Sequence, residues 1–139
     1  VTLTEQLRRD EGTESCAYQD SLGYWTIGVG RLIDARKGGG LSNEEIDYLL
    51  DNDIKAKTRE VLLALPWAAR LSEPRRAVLV NMAFQMGTKG LLAFHRTLGS
   101  VEDGQYGDAA VEMLNSTWAK QTPARAMRLA TQMETDKWQ

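Results

Sequence analysis

The sequence predicts a mostly helical α+β fold: a first helix, a small antiparallel sheet, a long connecting helix, then a C-terminal helical bundle. Three observations carry that expectation. From Ser42 onward, apolar residues recur at helical spacing. Across residues 24–30 the period drops to two, with Trp25, Ile27 and Val29 on one side and Thr26, Gly28 and Gly30 on the other. The composition, 42% hydrophobic and 26% charged over 139 residues, suits one soluble domain that buries roughly two-thirds of its unfolded surface. We expect a single two-lobed domain over 1–139. A small β lobe covers about 13–42 and a connecting helix about 43–64; the helical lobe covers about 65–139 and includes the N-terminal helix.

Each element has its own signal. Leu3 and Leu7 stand one helical repeat apart, and Thr4 is placed to cap a helix that ends at Gly12. Asp20-Ser21-Leu22-Gly23 has the chemistry of a tight turn, with Asp first and Gly last, so residues 17–34 read as the sheet. A sheet this small must lean on helices. Lys37-Gly38-Gly39-Gly40 reads as a flexible connection. Ser42 with Glu45 three residues later forms a capping box. The helix it opens carries Ile46, Leu49, Leu50, Asp53, Ile54, Val61 and Leu62 as a stripe down to Pro66, and Asp53 interrupts that stripe. Ser72-Glu73-Pro74 opens another helix, with Val78, Leu79, Met82 and Met86 facing inward and Gly87 as its stop. Shorter helices are expected over 94–102 and 108–114. Thr122-Pro123 caps the last one, which buries Ala126, Leu129, Ala130 and Met133. A cleft between the lobes is expected across the sheet.

Composition removes several kinds of chemistry. Cys16 is the only cysteine, so there is no intrachain disulfide and no thiolate metal site. His95 is the only histidine, which removes a histidine pair for zinc and disfavours a serine or cysteine triad. The net charge of −2 argues against broad attraction to nucleic acid. The apolar run 61–65 is far too short to span a membrane. No basic-then-apolar start marks an export signal, although the chain begins at Val1 rather than Met. Chemistry is left to carboxylates, hydroxyls and backbone.

Glu11 sits where the first helix is about to end, close in angle to the Leu3/Leu7 stripe. Asp10 is equally close, so helical spacing does not choose between them, and an adjacent acidic pair is more often simply solvated. Asp20 is first of all a good turn former. Thr26 projects from the same strand face as Gly28 and Gly30. If Trp25, Ile27 and Val29 pack inward, that face offers a hydroxyl beside bare backbone, where a sugar ring can approach. Otherwise the glycines only relieve twist. Glycoside hydrolysis needs an acid to protonate the leaving oxygen and a second carboxylate to handle water or charge. Glu11 and Asp20 fit those parts. The carboxyls stand about 5–5.5 Å apart in a retaining enzyme and about 6.5–9.5 Å apart in an inverting one.

Asp10-Glu11-Gly12, Tyr18-Gln19-Asp20 and Gly23-Tyr24-Trp25-Thr26-Ile27-Gly28-Val29-Gly30 together resemble the phage-type lysozymes of the T-even kind, a family of glycoside hydrolases. The resemblance resumes at Arg75-Arg76-Ala77, Asn81-Met82, Phe84-Gln85-Met86-Gly87, Ala109-Ala110-Val111, Trp118 and Gln121-Thr122-Pro123-Ala124-Arg125-Ala126. These blocks keep the family's order over nearly the whole chain. The resemblance implies a lysozyme-like two-lobed fold and cleavage of the bond between N-acetylmuramic acid and N-acetylglucosamine in bacterial peptidoglycan. It makes Glu11 the general acid, Asp20 the general base or electrostatic partner, and Thr26 the residue that positions the attacking water. It favours inversion and needs no cofactor and no metal. Gly30, Leu32 and Phe84 would line the sugar cleft, and Thr97 and Glu112 would contact substrate. Arg125 would pair with the catalytic glutamate, with Gln85 in support. The resemblance further implies a monomer that lyses bacteria, made in the cytoplasm and acting on the wall after the membrane is permeabilised.

Departures from the family pattern are informative. Thr97 stands where a serine is expected and keeps the hydroxyl; Glu112 replaces an asparagine. Arg31 replaces the usual histidine after Gly30, and the matching acidic position is Asp53. This predicts an Arg31–Asp53 ion pair that keeps its cation across neutral pH. The segment around 38–41 is shorter than in the T-even type, and the mild acidity predicts weaker attraction to walls. Met82, Met86, Trp118 and Trp138 are expected in the core rather than as sugar platforms. Two other readings stay open: a lytic transglycosylase, which needs Glu11 but can dispense with Asp20, and an inactive wall-binding or tail-assembly module.

Overall fold

The computed structural model describes residues 2–139. Helix α1 spans Leu3–Glu11. Its cap is Thr2 rather than Thr4, because Glu5 lies three residues beyond Thr2 and closes a reciprocal box. The Glu5 amide donates to Thr2 Oγ1 at 3.2 Å, and the Thr2 amide donates to Glu5 Oε2 at 2.7 Å. Gly12, at φ 80°, ends the helix.

Three antiparallel strands follow: β1 (Glu14–Gln19), β2 (Trp25–Gly28) and β3 (Arg31–Leu32), with β2 in the middle. Strand β1 begins before the expected residue 17, and its register against β2 slips between Glu14 and Tyr18. Across the sheet, Thr26 faces Tyr18 on one side and Leu32 on the other. Asp20-Ser21-Leu22-Gly23 forms the expected turn, with the Gly23 amide donating to the Asp20 carbonyl at 2.9 Å. The two faces of β2 are the reverse of what alternation suggested. Thr26 is 3% exposed, whereas Trp25 is 52% exposed. The central position of Thr26 accounts for its burial.

The 37–40 connection is tightly built rather than flexible. A 3-10 turn (Ala35–Lys37) is capped by Asp34, and Gly38 takes the left-handed conformation. The Gly39 amide then donates to Asp34 O and the Gly40 amide to Leu32 O. A Cβ on Gly39 would fall 2.5 Å from Leu32 O, so no other residue lets the chain lie this close to β3.

Helix α2 (Asn43–Ala64) starts on the expected Ser42/Glu45 box and stops before Pro66. Only the end of its stripe is buried: Val61 is fully buried, while Ile46, Leu49, Leu50 and Ile54 are each 44–47% exposed. A second 3-10 turn covers Pro66–Arg70. Helix α3 (Glu73–Leu92) opens on Ser72 and Pro74. Gly87 interrupts it at φ 79°, ψ 159°, after which the helix resumes. The expected stop is therefore a break. Helices α4 (His95–Glu102), α5 (Tyr106–Leu114), α6 (Thr117–Gln121) and α7 (Pro123–Thr135) complete the chain. The sequence reading missed α6, which is capped by Ser116. Thr122 does not cap α7 through its side chain; its hydroxyl donates to Trp118 O instead.

The chain divides into two compact units, one through Leu49 and one from Leu50 onward. Among the described residues, every buried apolar side chain belongs to the second unit, including Val78, Leu79, Met82, Met113, Leu129 and Met133. There Phe94 meets Trp118 edge-on at 6.0 Å. Trp138, expected inside, is 60% exposed, and Met86 is only partly buried. Helix α1 falls in the first unit rather than with the other helices, because its last residue packs on the sheet. No single helix among the described residues is long and apolar enough to cross a membrane.

Candidate active site

Glu11, Asp20 and Thr26 all lie in the first unit. Glu11 ends α1, and its carboxyl lies over the bare Cα of Gly30. A Cβ built on Gly30 would sit 2.8 Å from Glu11 Oε2 and 3.1 Å from Cδ. Gly30 is thus a glycine of close approach as well as of backbone freedom, since its φ is +70°. This contact distinguishes Glu11 from Asp10, whose carboxylate points to an exposed ion pair with Arg9 at 2.9 Å.

Asp20 does two things with one oxygen. Its Oδ1 accepts the amides of Leu22 at 2.9 Å and Tyr24 at 2.8 Å. Two backbone donors fix the carboxylate plane, and no bond to Oδ2 is formed among the described residues. The turn reading and the chemical reading of Asp20 are therefore compatible. Thr26 donates its hydroxyl proton to Tyr24 O at 3.0 Å. Leu32 pairs with Thr26 across β2–β3 and is half-buried.

Arg31 is held within this unit by Glu45. Its NH1 donates to Glu45 Oε1 at 2.9 Å and to Gly40 O at 3.1 Å, and its NH2 stands 2.8 Å from Glu45 Oε2. Glu45, the capping residue of α2, takes the acceptor part that the sequence reading gave to Asp53. The same carboxylate accepts the Ser42 amide at 2.9 Å. The Arg31 hydrogen bond, with Ser42 next, holds the Glu45 carboxyl down at about 2. Glu45 was legible only as a cap, because nothing in its spacing announced a second partner fourteen residues upstream.

In the second unit, an open groove of about 500 Å³ is lined by Ile54, Val80, Asn81, Phe84, Arg125 and Trp138, among others. Arg125 grips Asn81 through three bonds: Nε to Oδ1 at 3.0 Å, and NH2 to Oδ1 at 2.7 Å and to the carbonyl at 3.2 Å. Asn81 was part of a matched sequence block but had been given no role, and the bond pattern now identifies it as the anchor of Arg125. Phe84 is 44% exposed. Gln85 accepts the Trp118 indole N–H at 2.9 Å, so its amide is committed to orienting that ring. Glu112 is half-buried on α5. Thr97 is buried on α4. Asp53 lies beside Lys57, Glu60 and Phe84 around a smaller hollow.

A small three-stranded sheet, a long helix and a helical bundle define a lysozyme-type fold, and its first unit carries both the helix-end glutamate and the turn aspartate. The family model described as phage lysozyme matches residues 8–133, and the chain belongs to that family. Among its relatives, probable T4-type lysozyme 1 of Dictyostelium discoideum is 29% identical, covering 96% of this chain and 94% of that protein. Probable T4-type lysozyme 2 of the same organism is 28% identical over the same shares. The pre-baseplate central spike protein Gp5 of Enterobacteria phage T4 is 30% identical over 93% of this chain, but only 27% of its own length is matched.

Proposed function

We propose that this protein is a muramidase that hydrolyses the β-1,4 bond between N-acetylmuramic acid and N-acetylglucosamine in bacterial peptidoglycan with inversion. The observation that carries this reading is the Glu11 carboxyl seated on Gly30, in the same unit as an aspartate pinned by two amides. Family membership agrees with a glycoside hydrolase.

Glu11 gives its proton to the glycosidic oxygen as the C–O bond breaks. A water molecule attacks the anomeric carbon from the opposite face, and its proton passes to Asp20 Oδ2. Thr26 orients that water. Because its own proton is spent on Tyr24 O, its oxygen can only accept, so the water donates to Thr26 and turns a lone pair toward the sugar. Gly30, Leu32, Phe84 and Glu112 contact the glycan. Arg125 is fixed by Asn81 within the groove of the second unit. No cofactor takes part. The protein acts as a monomer on the wall, reaching it from the bacterial cytoplasm once the membrane is permeabilised.

The test is digestion of defined muropeptides, with product ends read by mass spectrometry and the anomeric configuration by NMR. Reducing α-muramic ends are expected. Anhydro-muramyl ends would identify a transglycosylase, and intact glycan an inactive module. Glu11→Gln should lower turnover at least ~100-fold by removing the transferable proton.

A further inference from the structure

We propose that Arg31 and Glu45 are positioning residues for the proton donor: their fork holds the β2–β3 turn, and so Gly30, beneath the Glu11 carboxyl. This rests on the assignment of Glu11 as the acid and goes beyond it.

Little else fixes the turn. Strand β3 has two residues and meets β2 at two register positions, Thr26↔Leu32 and Ile27↔Arg31, with the Ile33 amide donating to Trp25 O at 2.9 Å just beyond them. Two glycines at positive φ, Gly28 at the end of β2 and Gly30 in the turn, both stand at 70°. Such a segment has few bonds and a permissive backbone. On its own it would not hold one atom of Gly30 against one carboxylate.

The bonds on Arg31 supply what the turn lacks. Both terminal nitrogens of its guanidinium engage both oxygens of Glu45, a two-point contact that fixes orientation as well as distance. NH1 also reaches Gly40 O. Gly40 in turn donates to Leu32 O, so the residue after Arg31 is tied to the same loop. Glu45 is itself immobilised by the Ser42 box at the head of α2. A chain of contacts therefore runs from the first turn of a 22-residue helix, through Glu45 and Arg31, to the residue next to Gly30. The pair is substantially exposed, with side chains 48% and 39% accessible, so its value lies in geometry more than in stability. A displacement of about 1 Å at an acid is enough to cost turnover heavily.

The test uses Arg31→Lys, Glu45→Gln and the double variant Arg31→Lys/Glu45→Gln. Arg31→Lys keeps the charge but loses the fork. Glu45→Gln keeps an acceptor for the Ser42 amide, so helix α2 stays capped. kcat and KM are measured on soluble, uncross-linked peptidoglycan strands, and Gly30 amide exchange is followed by NMR. We expect each single variant to lower kcat by about 10-fold with KM within about twofold, faster exchange at Gly30, and no further loss of kcat in the double variant, as for two residues that act through one contact. Folded variants with unchanged kcat and unchanged Gly30 exchange, whatever their melting temperature, would overturn the proposal. Glu11→Gln is run alongside. If it retains near-native turnover, the acid assignment itself fails; if it is inactive while the Arg31 variants are not, only the positioning role fails.

Discussion

At the scale of single residues, Gly30 and Glu45 bear the most direct consequences. Gly30→Ala places a methyl where the Glu11 carboxyl now lies and puts a side chain at φ +70°. Turnover should fall at least ~10-fold in protein that still melts cooperatively; a near-native rate would show that the carboxyl does not work from this position. Glu45 gives a pH signature. Its folded value of about 2 lies below the ordinary glutamate value of roughly 4.3. Its stabilising contribution is therefore fully present above that ordinary value and is lost as pH falls toward 2. Melting temperatures of the parent and Glu45→Gln should differ above about pH 5 and converge near pH 2. Some of this was legible in the sequence. Glu11, Asp20 and Thr26 were named through the family resemblance, whose motif blocks are local, whereas helical spacing left Glu11 and Asp10 equal and Asp20 read first as a turn former. The partners of Arg31 and Arg125 were not legible, since a long flexible cation can reach several acceptors and only the folded backbone selects one.

At the scale of elements, the capping rules were the most informative part of the sequence. Ser42/Glu45 and Ser72/Pro74 opened α2 and α3 where expected, because a cap is a three-residue interaction. The α1 cap was displaced to Thr2 because Glu5 closes a box there and nothing closes one on Thr4. Helix α6 escaped notice, since five residues are too few to show a period. Gly87 was recognised as a breaker, but the chain uses it to redirect α3 rather than end it. Its φ and ψ lie in a region essentially confined to glycine, while a Cβ there would meet nothing within 4 Å. Gly87→Ala should therefore cost about 1–3 kcal/mol through backbone strain alone, measurable by urea denaturation. Met82→Ala, fully buried on the same helix, should cost about 2–5 kcal/mol by opening a cavity. Equal or smaller loss at Met82 would mean that α3 is packed more loosely than its burial indicates. Near the start of α3, Arg75 stacks on Tyr106 at 3.6 Å and donates to Met133 O at 2.8 Å and Glu134 O at 3.0 Å. One side chain thus ties α3 to both α5 and α7.

At the scale of the whole molecule, two properties matter: where the apolar core lies and what charge the chain carries. The buried apolar residues all come from the second unit, so native-state hydrogen exchange should protect α3, α5 and α7 most strongly and β1–β3 least. The reverse order would contradict that distribution. With a net charge of −2, the protein gains little from attraction to an anionic wall. Lysis of chloroform-treated cells should change by less than about twofold as added salt shortens the Debye length from roughly 30 to 8 Å. A steep fall would reveal a local basic surface that the net charge conceals. The one thiol of the chain, Cys16, is exposed on β1, within the stretch where the strand register slips. A maleimide fluorophore would consequently attach at a single defined point on the hairpin, and its emission would follow that strand when glycan is added. The same accessibility means that unprotected stocks stored in air should accumulate a covalent dimer that dithiothreitol dissolves.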